Sequence, residues 1–148
     1  MTTSSDVITI KPEKMDFRAY SISWNLTKRC NLNCDHCYLD ADFRGGFRTD
    51  ELDTIQCKKV IDQIAEVNPN AFLILTGGEP LLRPDIYELI RYAADKKFMV
   101  VLGTNGTLIN EANAKKIKAA GAHGVGISID SMDATKHNKF RGVTGAWE

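Results

Sequence analysis

The sequence of residues 30–38 is Cys-Asn-Leu-Asn-Cys-Asp-His-Cys-Tyr, so three cysteines follow a predicted strand in a C-x3-C-x2-C pattern. Three thiols this close together indicate a metal or iron–sulfur site. A four-iron cluster normally takes four cysteines, and the remaining cysteine, Cys57, stands apart from the other three. We therefore predict that Cys30, Cys34 and Cys37 ligate a cluster in which one iron stays open to bind another molecule.

The segment before these cysteines alternates apolar and polar residues over positions 19–26, which is the period of a half-buried strand. Apolar runs of strand length follow at residues 71–76, 98–102 and 124–129. The run at 71–76 is continuous, which is typical of a strand covered on both faces. Helical patterns separate these runs, and this alternation predicts a parallel sheet with right-handed crossovers.

Each of the predicted helices has a recognisable start or stop. Thr49 is placed to cap the first, with Asp50 and Glu51 in its first turn. The second spans residues 84–96 with Pro84 in its first turn, and the third runs from a cap at Asn110 to a stop at Gly121. The buried side of the first helix is predicted to comprise Leu52, Ile55, Cys57, Val60, Ile61, Ile64 and Ala65.

The predicted fold class is α/β, with parallel β/α units that form the first half of a partial TIM-like barrel. A closed eight-stranded barrel takes about 250 residues, so we expect the 148-residue chain to be truncated, with its fourth strand as an exposed edge. We divide the chain into a polar leader, residues 1–16, and a core domain, residues 17–148. Residues 131–148 show no obvious terminal element.

Composition limits the classes of partner. Nineteen basic and nineteen acidic residues cancel, which gives no electrostatic reason to expect nucleic acid or an anionic membrane. No apolar run approaches the ~20 residues that cross a bilayer, and the start of the chain lacks the apolar core of a signal peptide. We expect a cytoplasmic protein that binds small molecules or other proteins.

Ligands of parallel α/β sheets bind at the carboxyl ends of the strands, so the residues that follow each apolar run are candidate site residues. The two glycines after the second predicted strand permit a close backbone approach, and Glu79 places an acceptor at the rim of the site. A tight turn would explain the glycines equally well, and a turn or helix cap would explain Ser128 and Asp130. The candidates are Gly77, Gly78, Glu79, Pro80, Thr104, Asn105, Ser128 and Asp130.

Together these residues resemble the radical S-adenosylmethionine (radical SAM) superfamily, and the resemblance covers most of the chain from Tyr20 to Trp147. The cysteine pattern followed, after an apolar strand, by Gly-Gly-Glu-Pro is highly specific. In that family the three cysteines hold a [4Fe-4S] cluster whose open iron is chelated by the methionine part of SAM. One electron then cleaves a carbon–sulfur bond, and a 5′-deoxyadenosyl radical abstracts hydrogen from the substrate.

The resemblance also implies roles for the other candidates. Residues 77–80 form the motif that receives the methionine amino group, and the main chain at Tyr38 meets adenine. Arg141 matches an arginine in the R-G-x-x-G pattern of the subgroup with auxiliary-cluster tails, where it pairs with the cofactor carboxylate, although a surface arginine is the alternative. The residues that lie where family members contact the methionine carboxylate and the ribose are Thr104, Asn105, Ser128 and Asp130.

Residues 22–41 and the later Ser-Ile-Asp-Ser are similar to the branch that modifies haem-type tetrapyrroles, such as the enzymes for haem d1 and for the siroheme-based haem route. Peptide-maturing members share much of this pattern. The resemblance therefore implies a tetrapyrrole or peptide substrate and a reducing electron donor such as ferredoxin or flavodoxin. The chain lacks the second half of the barrel and a cysteine-rich tail, so an inactive fragment that binds cluster and cofactor is a further alternative.

Other readings of the cysteines and histidines stay open. A structural zinc module could use the three cysteines with His36 or another residue as a fourth ligand, although we do not expect His36 to bind metal. A ferredoxin-like electron carrier would need four cysteines close in sequence. His123 and His137 are expected at the surface, and Cys57 is expected to be a small core thiol.

Overall fold

The computed structural model describes residues 21–45 and 50–148 of the chain. In chain order the elements are β1 (Ser21–Asn25), β2 (Arg29–Cys30), β3 (Asp42–Phe43), α1 (Thr54–Val67), β4 (Phe72–Thr76), a 3₁₀ helix (Pro80–Leu82), α2 (Ile86–Asp95), β5 (Met99–Thr104), α3 (Glu111–Ala119), β6 (Gly124–Ile127) and α4 (Ala134–Arg141).

Four strands form one sheet in the order β1-β4-β5-β6, and every neighbouring pair is parallel. Helices connect β4 to β5 and β5 to β6, which confirms the predicted α/β architecture of parallel units. β6 pairs only with β5 among the described strands, so it is an edge of this sheet. The carboxyl ends of all four strands lie on the same side, where the candidate site residues follow.

The core lies between one face of the sheet and helices α1 and α2. Alternate residues of β4 and β5 point into it, and the intervening residues of β4 are half-buried rather than covered as the continuous apolar run predicted. Cys57 is fully buried in this core, as expected. The buried core side chains contributed by the two central strands and by α2 are Leu73, Leu75, Val100, Leu102, Ile86, Leu89, Ile90 and Ala93.

Helix α1 begins later than the sequence suggested. Its cap is Asp53, whose side chain accepts from the backbone N–H of Gln56, while the Gln56 side chain accepts from Asp53 N–H. Thr49 lies outside the described residues, and Glu51 is not in the first turn but accepts from the hydroxyl of Thr27 and the N–H of Lys28, both at 2.7 Å. Leu52 lies before the helix and Ile55 lies in its first turn; both were predicted to be buried, but both are exposed.

Helix α2 begins at Ile86, so the prediction that Pro84 lies in its first turn was wrong. Asp85 occupies the cap position but makes no capping hydrogen bond, because its carboxylate accepts from Thr54 and from Nε and Nη2 of Arg83. The buried Arg83 also donates to the carbonyl of Leu26. Helix α3, by contrast, has the predicted cap at Asn110 and the left-handed stop at Gly121.

Residues 131–148 contain a helix that was not predicted from the sequence. Helix α4 is capped by Asp133 and ends at Gly142, which has the left-handed φ of 69°. It carries few apolar residues, so its pattern is weak. The proposed leader and the beginning of the first predicted strand lie outside the described residues. Across the two described ranges, no helix is long and apolar enough to cross a membrane.

Candidate functional site

The three cysteines lie on a loop, residues 30–41, that we call the cysteine loop. Its two ends are joined, because β2 pairs with β3 in a separate two-stranded parallel sheet. Backbone hydrogen bonds from Asp42 N to Lys28 O at 2.8 Å and from Arg44 N to Cys30 O at 2.7 Å close the base further. The loop is thus fixed at both ends before any cofactor is considered.

Gly77 and Gly78 place the end of β4 against the segment that leads into the cysteine loop. The N–H groups of Gly78 and Glu79 donate to the carbonyls of Thr27 and Arg29 at 2.7 and 2.8 Å. A Cβ at Gly77 would lie 2.5 Å from Thr27 O, and one at Gly78 would lie 2.3 Å from Arg29 O. The predicted close backbone approach is confirmed: no larger residue fits here without moving the start of the cysteine loop.

Helix α4 holds the opposite side of the cysteine loop. The N–H groups of Asn33 and Asp35 donate to the carbonyls of Arg141 and Phe140, and the ring of His36 stacks on Phe140 with centroids 4.2 Å apart. These contacts come from the carbonyl end of α4, whose last carbonyls have no partner inside the helix. The unpredicted helix is therefore part of the site.

Each cysteine sulfur accepts at least one N–H donor. Cys30 Sγ accepts from Leu32 N at 3.4 Å and from Asn105 Nδ2 at 3.9 Å. Cys37 Sγ accepts from Ala41 N at 3.4 Å, and Cys34 Sγ accepts from Arg141 Nη1 at 3.7 Å. Such donors favour the thiolate form that binds metals. Burial acts in the opposite direction and raises the pKa of the Cys30 thiol, so ligation there would release a proton.

The cysteine loop and the strand ends enclose a cavity of about 680 Å³. It is lined by the three cysteines and by Tyr38, whose hydroxyl donates to Asn25 Oδ1 at 3.2 Å. Most of the other predicted residues also line it, namely Gly77, Gly78, Thr104, Asn105, Ser128, Asp130 and Arg141. The topology thus brings together residues that lie as far apart in sequence as Cys30 and Arg141.

Glu79 does not lie at the rim, as the sequence suggested, but is completely buried. Its carboxylate accepts from the N–H of Asn105 at 2.9 Å and the N–H of Leu81 at 3.0 Å, and Thr104 Oγ1 lies within 2.9 Å of both oxygens. Burial raises the pKa of this carboxyl, and the three donors offset part of that effect. Glu79 thus ties β4 to β5 beneath the cavity, and Pro80 is buried beside it at the start of the 3₁₀ helix.

Arg141 is buried rather than at the surface. Its Nε lies 2.5 Å from Asp130 Oδ2 in an ion pair that lacks the alignment of a hydrogen bond. His137, which was expected at the surface, is only 2% exposed, because it packs edge-on against Trp147 and lies 3.4 Å from the N–H of Asp130. The prediction for His137 was wrong because α4 was not predicted, and the burial of Arg141 removes the surface alternative for that residue. His123 is exposed, as expected.

The zinc alternative requires several ligands that converge on one ion. Zinc ligands lie about 2.0–2.3 Å from the metal, yet among the described residues no three His, Cys, Asp or Glu side chains are grouped to hold a metal ion. The cysteines of a four-iron cluster, in contrast, each bind a different iron. His36 is engaged in the stack on Phe140. The side-chain positions therefore give the zinc alternative no support.

Comparison with known protein families decides the assignment. The model of the radical SAM superfamily matches residues 24–148, which include the cysteine loop, all four strand ends and α4. The chain belongs to the radical SAM superfamily. Membership implies a [4Fe-4S] cluster and SAM, in agreement with the resemblance noted in the sequence.

Curated relatives of the chain include proteins that are named for haem synthesis. The chain is 45% identical over 130 residues to AdoMet-dependent heme synthase of Nitratidesulfovibrio vulgaris, covering 86% of this chain and 34% of the relative. It is 43% identical over 130 residues to pre-heme d1 synthase of Dinoroseobacter shibae, covering 86% of this chain and 30% of the relative. The chain thus spans about a third of the length of these relatives.

A solved structure supports the fold. The crystal structure of Streptococcus suis SuiB bound to the precursor peptide SuiA matches with a TM-score of 0.69 over 86% of this chain and 28% of that one. The sequence identity of 18% makes this a likeness of fold alone. It shows that the arrangement of this four-stranded parallel sheet and its helices also occurs in SuiB.

Proposed function

We propose that this chain is the cluster- and SAM-binding part of a radical SAM enzyme that modifies a tetrapyrrole in haem biosynthesis. The observation that carries the proposal is the single cavity in which three N–H-supported cysteine sulfurs face the ends of the parallel strands. This donor set fits the group, because three thiolates suit a four-iron cluster with one open iron. When bound, the cluster and SAM supply a one-electron cleavage that yields a hydrogen-abstracting radical.

The residues of the chain have separate tasks in this proposal. Cys30, Cys34 and Cys37 hold the irons, and the N–H groups directed at their sulfurs stabilise the thiolates. Gly77 and Gly78 line the cavity and let the end of β4 pack directly against the segment that leads into the cysteine loop. The main chain at Tyr38 borders the same space, as an adenine contact requires.

The charged side chains that line the cavity favour one orientation of a bound ligand. Arg141 is the one arginine or lysine among the described residues that line it, and Asp130 holds the guanidinium in place. A guanidinium binds a carboxylate in a bidentate manner, so we assign Arg141 to the carboxylate of SAM. Ser128 and Asp130 offer a hydroxyl and a carboxylate as partners for the ribose hydroxyls.

The substrate assignment rests on the relatives, two of which are named as haem-type synthases and are more than 40% identical to the chain over the 130 aligned residues. A peptide substrate is the second candidate, because peptide-maturing members share much of the sequence pattern and the chain is 36% identical over 122 residues to mycofactocin maturase MftC of Mycobacterium ulcerans. A low-potential donor such as ferredoxin or flavodoxin would supply the electron. We place the reaction in the cytoplasm, where all four free cysteines stay reduced.

The test is anaerobic reconstitution of the chain with iron and sulfide, followed by analysis of bound iron and visible absorbance. Cys34→Ala should lose the iron–sulfur absorbance, because it removes one of three ligands. Cys57→Ala is the matched control, since Cys57 is buried in the core away from the loop, and it should retain the cluster. Full absorbance in Cys34→Ala would refute the ligand assignment.

A second assay separates radical chemistry from electron transfer. The reduced protein is incubated with SAM, and release of 5′-deoxyadenosine is measured by chromatography. Release from the wild type that is absent in Cys34→Ala would support the proposal. A wild-type cluster that yields no 5′-deoxyadenosine would contradict SAM cleavage by this chain.

A further inference from the structure

Asn105 forms hydrogen bonds with three parts of the site. Its backbone N–H donates to the buried carboxylate of Glu79. Its side-chain Oδ1 accepts from the N–H of Thr107 at 3.0 Å and from the Thr107 hydroxyl at 2.7 Å. Its Nδ2 donates to Asn31 Oδ1 at 2.8 Å and reaches Cys30 Sγ at 3.9 Å.

These contacts use the whole hydrogen-bonding capacity of the side chain. An amide offers two donor hydrogens and two acceptor lone pairs, and all four are engaged. The residue is 8% exposed, although it borders the cavity. Its amide is therefore committed to the protein, which differs from the role of a direct SAM contact that the resemblance implied.

The orientation of the amide follows from its neighbours. Asn31 Nδ2 donates to Thr107 Oγ1 at 2.7 Å, so the hydroxyl hydrogen of Thr107 is free to point at Asn105 Oδ1. A flipped amide would set Nδ2 against the N–H of Thr107 and Oδ1 against both Asn31 Oδ1 and Cys30 Sγ. The hydrogen bonds among Asn31, Asn105 and Thr107 thus keep one N–H of the Asn105 amide directed toward Cys30 Sγ.

We propose that Asn105 is a positioning residue that directs its Nδ2–H at the Cys30 sulfur and thereby raises the reduction potential of the cluster. The inference rests on the proposed function. Hydrogen bonds to cluster sulfurs are among the factors that set the potential, because they stabilise the extra negative charge of the reduced state. Cys30 is 6% exposed, so water does little to screen this dipole.

The decisive experiment is an anaerobic redox titration of the reconstituted chain, monitored by electron paramagnetic resonance. Asn105→Leu removes the donor at similar size, and the midpoint potential should become more negative. We expect about a tenfold change in the ratio of reduced to oxidised cluster at a fixed potential, which is ~59 mV for a one-electron couple. Asn105→Gln, which keeps an amide N–H, should restore most of the difference.

Thr107→Val is the matched control. It breaks the two hydroxyl bonds of the same network. The backbone N–H of residue 107 still donates to Asn105 Oδ1, which keeps Nδ2 on the side of Cys30 Sγ. A purely structural role predicts equal shifts in Asn105→Leu and Thr107→Val, whereas a donor role predicts a shift in the former alone. Asn105→Asp keeps the acceptor for Thr107 at nearly the same size and replaces the N–H by a carboxylate oxygen, so the midpoint potential should fall at least as far as in Asn105→Leu.

The outcomes are distinct. Unchanged potentials in the Asn105 variants, or an equal shift in Thr107→Val, would overturn the inference and leave the proposed function intact. Loss of the cluster from both Asn105→Leu and Asn105→Asp would show that the residue is required for ligation itself, which also overturns the tuning role. A wild-type chain that forms no cluster would refute the proposed function, and the inference with it.

Discussion

The sheet core and the cysteine loop are held together in different ways. The core packs aliphatic side chains from the sheet, α1 and α2. The loop has only a small apolar cluster of its own, built on Cys30, Leu32 and Ala146. It depends instead on backbone hydrogen bonds, glycines that permit close approach, and the Arg141–Asp130 ion pair. Hydrophobic burial is spread over many residues, whereas each polar contact is specific, so the two regions should respond differently to mutation.

The largest loss of stability is expected from the core. Leu73→Ala removes a fully buried side chain of the central strand and should lower the free energy of unfolding by about 2–5 kcal/mol. Urea denaturation followed by circular dichroism measures this change. Ile55→Ala is the control, because Ile55 is 67% exposed, and it should stay within about 0.5 kcal/mol of the wild type. Equal effects of the two variants would contradict the description of the core.

A substitution at Gly142 should disturb the cysteine loop and leave the sheet folded. A Cβ at this position would lie 2.0 Å from Asn33 O, and the φ of 69° disfavours any other residue. Gly142→Ala should cost about 1–3 kcal/mol locally and reduce bound iron severalfold, with the circular dichroism of the sheet retained. Gly126→Ala is the control, since nothing lies within 4 Å of its Cβ. Full iron loading of Gly142→Ala would show that α4 does not order the loop.

A smaller effect, on the dependence of stability on pH, should come from Glu79 at the boundary of the two regions. Because burial raises the pKa of this carboxyl, the folded state retains a proton that the unfolded chain releases. Stability should therefore fall as the pH rises from 4.5 through the folded pKa. Glu79→Gln removes this contribution. The unfolding free energy of the wild type, relative to that of the variant, should therefore decrease as the pH rises. If the unfolding free energies of wild type and variant depend on pH in the same way, the carboxylate is exposed at the rim, as first predicted from the sequence.

The sheet could be predicted from the sequence because its signals are local, and the assignment of the three cysteines as ligands stays a prediction. Apolar runs mark the strands, and only a few kinds of site contain three cysteines so close in sequence. The same local reasoning misplaced Glu79, since its burial arises from Thr104 and Asn105 on another strand. It also placed His137 at the surface and left a surface position open for Arg141, because α4 has little apolar periodicity. Asp133 as a cap and Gly142 as a stop were the signals that could have indicated this helix.

The most direct test of the central claim is the electron paramagnetic resonance spectrum of the reduced, reconstituted chain with and without SAM. If the three cysteines leave one iron open and the cavity binds SAM, the cluster signal should change when SAM is added. Gly142→Ala should reduce this signal in proportion to its lower iron content. A four-iron signal that is identical with and without SAM would contradict an open iron that binds SAM in this cavity.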